Sequence, residues 1–185
     1  MNRIFSIKGS FRVPDGTLVS PFLNAKDSQS GLPFDLIDGF SIAAGEIEPR
    51  KESKIHIMPH VTQVTFVRRG SILIHMRDPG TEAKYEVPLQ ADQALITRPG
   101  TFFQLDNKHN ESCHVLYIVS PAYIFLADDA GSVIYDDAIV LEESWSELKA
   151  AGWESPKMKN SGVTKEARDR AIVRLAERSR SKDPL

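Results

Sequence analysis

The sequence predicts an all-β fold, a sandwich or a barrel, on three observations. Short runs rich in Val, Ile, Phe, Tyr and Thr recur along most of the chain. Gly and Pro separate them at a spacing of about 8–12 residues, the interval typical of sandwiches and barrels. Turn signals join neighbouring runs as hairpins.

Taken in order, the runs place strands at 3–7, 11–13, 40–47, 54–58, 62–68, 71–77, 84–88, 94–98, 102–105, 113–119, 123–127, 132–135 and 138–141. The hairpin signal is strongest where Val64-Thr65-Phe66-Val67-Arg68-Arg69 enters Gly70 and leaves as Ser71-Ile72-Leu73-Ile74, because glycine tolerates the positive φ of a tight turn. Asp78-Pro79-Gly80-Thr81 reads as a second turn, and Arg98-Pro99-Gly100-Thr101 as a third, with proline before glycine as a type II turn prefers. Residues 14–39 read as an irregular arm broken by Pro14, Gly16, Pro21, Gly31, Pro33 and Gly39, and docked through Phe22, Leu23, Leu32, Phe34, Leu36 and Ile37. After the strands, 142–152 reads as a short helix with acids in its first turn and Gly152 as its cap. Beyond a Pro/Gly/Lys linker over 153–163, residues 164–181 read as a helix with Ala167, Ala171, Ile172, Leu175 and Ala176 on one stripe and mainly basic residues elsewhere.

Composition limits what such a fold does. The chain has 185 residues, 41% hydrophobic and 26% charged, which suits one globular domain. Its 23 Lys+Arg against 25 Asp+Glu give a formal charge of −2, so no global field gathers nucleic acid or an anionic membrane. The basic helix over 164–181 is the one local candidate for RNA or an acidic partner, and packing on its own protein is the plainer reading. No apolar run approaches the ~20 residues of a spanning helix. The N-terminus lacks a secretory h-region, and Cys113 is the single cysteine, so an intrachain disulfide and a cysteine-built zinc site are excluded. A cytoplasmic location is expected. Nucleophile elbows and Gly-rich phosphate loops are absent.

Two stretches remain: Lys54-Ile55-His56-Ile57-Met58-Pro59-His60-Val61-Thr62-Gln63 with Gly70, and Ala91-Asp92 with Arg98-Pro99-Gly100-Thr101-Phe102-Phe103-Gln104-Leu105-Asp106-Asn107. Together they resemble the two motifs of the cupin superfamily. Gln63 and Gly70 keep the first motif's acid-to-glycine interval, with His56 and Met58 where its paired histidines stand. Asp92, Pro99, Gly100 and Asn107 match the second motif, Ala91 replaces its glycine and Phe103 its histidine. The resemblance covers about 42–126 and implies a double-stranded β-helix, or jelly-roll barrel. On that reading the chain divides into an N-terminal strand and arm over 1–41, a barrel over 42–141 and a helical extension over 142–185.

The resemblance also implies a ligand site in the barrel mouth, lined by His56, Met58, His60, Gln63, Thr65, Phe103 and Tyr117. A family metal site uses three imidazoles and a carboxylate, a set that suits Fe, Mn, Ni or Zn. Here one imidazole of that set survives, so no cofactor is expected, and a weakly held divalent transition metal would fall to His56, His60 and Gln63. Gln63 in the acid's place is similar to metal-free sugar-nucleotide ketoisomerases of the superfamily. That likeness implies an alternative in which His56 is the base of an isomerase or epimerase of a keto sugar, with His60, Tyr117 or Lys54 as acid or oxyanion donor. A weak-metal oxygenase is the other enzymatic alternative, and a protein acting through its arm and basic helix the third reading. Cys113, His75, His109 and His114 read as packing or surface residues. A homodimer is expected, with strand 3–7 available for exchange.

Overall fold

The computed structural model describes residues 4–7, 9–24, 39–142, 144–151 and 161–181. Among these residues thirteen strands, β1 (Phe11–Arg12), β2 (Leu18–Leu23), β3 (Ser41–Ile47), β4 (His56–Ile57), β5 (Thr62–Arg69), β6 (Ser71–Arg77), β7 (Lys84–Gln90), β8 (Ala94–Thr97), β9 (Phe102–Asp106), β10 (Cys113–Ser120), β11 (Phe125–Ala127), β12 (Val133–Asp136) and β13 (Ile139–Val140), precede two helices, α1 (Trp145–Ala151) and α2 (Lys165–Ser181). A six-stranded sheet runs β1-β2-β3-β10-β5-β8, a five-stranded sheet runs β13-β4-β9-β6-β7, and β11-β12 form a separate hairpin.

Alternation decides which side chains meet between the sheets. In β5, Gln63, Thr65 and Val67 are buried while Val64 and Phe66 are half-buried on the outer face; β10 turns in Cys113, Val115, Tyr117 and Val119. Ile72, Ile74 and Met76 of β6 and Phe103 and Leu105 of β9 complete the core. A second cluster forms where Ile55, Ile57 and Phe102 are covered by Leu141 and Leu148. Above it Arg77 stacks on Phe102, 4.2 Å from the ring centre, and donates to the Leu148 carbonyl at 3.1 Å.

The motif residues serve the turns. Gly70 has φ +83°, and a side chain there would press on Ser112 and Cys113. Gly100 has φ +82°, and Thr101 N–H closes that turn on the Arg98 carbonyl at 3.2 Å. Asn107, wholly buried, donates to the carbonyls of Ile47, Glu48 and Glu111 and accepts from His109 N–H. It ties β3 to the β9–β10 connection.

Two sequence expectations need correction. Residues 4–7 form no strand: Ile4 is 95% exposed, and no ladder is present to satisfy its backbone. Within the stretch read as irregular, Leu18–Leu23 is a strand paired antiparallel to β3. Pro21 hides it in the sequence, because proline donates no ladder hydrogen bond; the strand accommodates it beside a register shift between Pro21 and Leu23. Phe22 and Leu23 are half-buried as expected; Leu32, Phe34, Leu36, Ile37 and Gly152 lie outside the described residues.

Both helices start on caps. Ser144 N–H and hydroxyl donate to the Glu147 carboxylate at 2.7 Å, the reciprocal arm of a capping box. Thr164 Oγ1 accepts from Ala167 N–H at 3.1 Å. The apolar stripe of α2 packs on its own protein, with Ala171 and Leu175 against Ile124, Leu126 and Tyr135. Arg168 anchors it through a two-pronged pair with buried Asp137 (2.9 and 3.1 Å) and a bond to the Ala122 carbonyl. Among the described residues, no helix is long and apolar enough to cross a membrane.

Candidate functional site

His56 sits on the short strand β4 between β9 and β13, so its ring faces the interior next to Phe103, its register partner. The ring centres are 3.9 Å apart at an interplanar angle of 57°. Nδ1 donates to the Lys54 carbonyl at 3.1 Å, and Asp15 Oδ2 lies 3.7 Å away from it. Among the described residues, none is hydrogen-bonded to Nε2.

Asp15 was not legible in the sequence. It arrives on the turn between β1 and β2, where its carboxylate accepts from Thr17 N–H and Thr17 hydroxyl, each at 2.8 Å. Its carbonyl accepts from Lys54 N–H at 2.7 Å, fixing the turn beside β4. An aspartate two residues before a threonine after a proline is a turn signature, and that local signal gives no hint of His56.

Tyr117 comes from the centre of β10, its ring lying in the notch left by Gly45 of the adjacent β3. Its hydroxyl is buried and, among the described residues, has no well-aligned hydrogen-bond partner. Burial, then the Asp15 charge, push its ionisation well above the ordinary tyrosine value, and nearby Thr17 tempers the shift. Tyr123 donates its hydroxyl to Asp136. Burial first, then Asp136, hold Tyr123 in its neutral form. Asp136 is itself pushed up from the usual carboxylate range by burial; Tyr123 and the Ala138 N–H offset that, and the adjacent Asp137 adds to it. His56 is close enough to lower it, so Asp136 belongs to the same cluster.

The other anticipated residues fall in different places. Met58, Phe103 and Tyr117 belong to the main core cluster, Met58 at 4% exposure. Gln63 donates to Thr65 Oγ1 at 3.1 Å, so these two satisfy one another inside the barrel. His60 is half-buried, and its Nε2 is bonded to the Val163 carbonyl at 3.0 Å, beside the start of α2. The structure therefore draws His60 away from the His56 group. Cys113 is fully buried, and its thiol is pushed up to about 11 by burial, the condition of an unreactive packing residue. His75, read as unremarkable, is buried on the outer face of the five-stranded sheet between two carboxylates. Its Nε2 is 3.1 Å from Asp106 Oδ2, and its Nδ1 is 3.0 Å from Glu86 Oε1 without hydrogen-bond alignment.

A metal centre of three imidazoles and one carboxylate does not fit this donor set. The Phe103 ring packs on His56, Met58 is a core thioether, Gln63 is turned to Thr65, and His60 is bonded elsewhere. Among the described residues, no group of three or more His, Cys, Asp or Glu side chains is placed to hold a metal ion. What the cluster offers instead is an imidazole nitrogen and a tyrosine hydroxyl without partners, two carboxylates and aromatic faces.

No protein-family profile matches the chain, and no curated protein sequence does. Solved structures do. The oxalate decarboxylase of Lactobacillus farciminis, solved as a formate complex, shares 16% identity over 73% of this chain and 33% of its own, with a TM-score of 0.53. A Klebsiella pneumoniae protein with a double-stranded β-helix domain shares 17% over 77% of this chain and 100% of its own, with a TM-score of 0.48. The Drosophila melanogaster CENP-C cupin domain shares 13% over 63% of this chain and 70% of its own, with a TM-score of 0.47.

Proposed function

Taking as premise that the chain has the cupin fold, we propose that it binds a small organic ligand at the His56 end of the barrel, without a tight metal centre. The observation that carries this reading is an unsatisfied polar atom. A buried hydroxyl left without a partner costs free energy that a bound molecule or water would return. The Tyr117 hydroxyl is such an atom, and Asp15, 3.7 Å from His56, is near enough to raise its ionisation. Tyr117 and His56 both come from strands, which hold them in place without a ligand.

Thermal-shift screening against sugars, keto acids, aromatic acids and amines tests this: a binder raises the melting temperature, by about 2.7 kcal/mol of added stability at a hundredfold excess over Kd. His56→Ala is expected to abolish that shift while keeping the far-UV spectrum. A library without any stabilising compound sinks the reading.

The isomerase reading has one observation in its favour. With Nδ1–H held by the Lys54 carbonyl, the neutral form of His56 carries its lone pair on Nε2, and burial keeps Tyr117 protonated as a hydrogen-bond donor. A base and a donor in one cluster suit proton transfer beside a carbonyl. Exchange of the α-proton of a keto sugar with D2O, absent in His56→Ala, is its test.

A further inference from the structure

We propose that the ligand of this site is a small organic ammonium ion rather than an acid or a neutral sugar. The proposal rests on the binding reading above and assigns its chemical class. Charge is the first ground. Asp15 stands 3.7 Å from the His56 ring, and the charge of that ring is felt at Asp136. Among the described residues no lysine or arginine forms an ion pair with either carboxylate. Lys54, two residues before His56, is directed to Glu142 at 2.6 Å, and Arg168 is taken by Asp137.

An acid entering here meets like charge, which in a poorly solvated site costs more than it does in water. A cation meets the reverse. The second ground is the aromatic surroundings: Phe103 packs on the His56 ring, Tyr117 and Tyr123 lie in or against the same core cluster, and aromatic rings attract organic ammonium groups where water is excluded. The third is the unpartnered Tyr117 hydroxyl, whose oxygen accepts a hydrogen bond, so an N–H donor satisfies it.

The experiment compares charge at constant shape. Choline is paired with 3,3-dimethylbutan-1-ol, glucosamine with glucose, and oxalate serves as the acid, all against the full chain by thermal shift and titration calorimetry. At least one ammonium compound is expected to bind about tenfold tighter than its neutral counterpart, with oxalate giving no shift. Asp15→Asn and Asp136→Asn keep the shape and acceptor oxygen of each side chain, so folding is checked by circular dichroism and the preference is expected to fall toward unity. Equal or tighter binding of glucose, the alcohol or oxalate overturns the ammonium class while leaving ligand binding intact. No binding by any of the five compounds overturns the class, and silence across the broad library as well overturns the binding reading beneath it.

Discussion

Gly45 and Tyr117 show how narrowly a single position is set. A Cβ on Gly45 would overlap the Tyr117 ring, and β3 and β10 are bonded neighbours with no room to part. Gly45→Ala is therefore expected to cost about 1–3 kcal/mol in urea denaturation, the usual range for overpacking. An unchanged midpoint would mean that the ring moves freely. Cys113 makes a second prediction, on pH. Its thiol is raised from 9.0 to about 11 in the folded chain, so from about pH 9 to 11 the native state keeps a proton that the unfolded state has lost. Stability is fully present below that window and falls as pH rises through it; buried Tyr117 and Tyr123 act in the same direction. Urea midpoints at pH 8 and pH 10 measure the loss, and Cys113→Ala is expected to flatten part of it. Of the site residues, His56 and Tyr117 were readable because strand alternation aims them inward. Asp15, Tyr123 and Asp136 were not, since what brings them to His56 is a turn and a hairpin remote in sequence.

Elements built on strong local alternation were the legible ones. β5, β6 and β10 stand where their pattern puts them, and Gly70 and Gly100 take the positive φ their turns required. β2 escaped because its pattern is cut by Pro21, and the strand is held by pairing with β3 and β1, which the local sequence does not show. The stripe on α2 was visible, but its anchor was not, because an arginine in a basic run reads as solvated until its acid is known. Arg168 is that exception, being buried against Asp137, whose oxygens also accept from Tyr135 hydroxyl and Ile124 N–H. Arg168→Leu is expected to cost about 3–5 kcal/mol by leaving a buried carboxylate without its cation. Hydrogen exchange should show the loss first in α2 and the β11–β12 hairpin. Uniform loss across the barrel would argue against a local clamp.

At the scale of the molecule, the two sheets enclose the main core, Leu148 of α1 helps cover a second cluster, and α2 covers a third. Removing 161–185 uncovers Ile124, Leu126 and Tyr135 and leaves Asp137 unpaired, so the truncated chain is expected to melt lower and to bind a hydrophobic dye. A melting temperature equal to that of the full chain would show that α2 is an independent appendage. The opposite end of the chain bears on the site in another way. The carbonyl of Asp15 is latched to Lys54 N–H, and its carboxylate completes the surroundings of His56. Assembly of the site thus waits on closure of the chain between these two points, and a chain begun after β2 would present half a site on a formed barrel. Whatever engages Asp15 selects molecules whose first segment is docked. On the proposed binding, occupancy inside the barrel and docking of the β1–β2 turn are then one equilibrium, readable from either end.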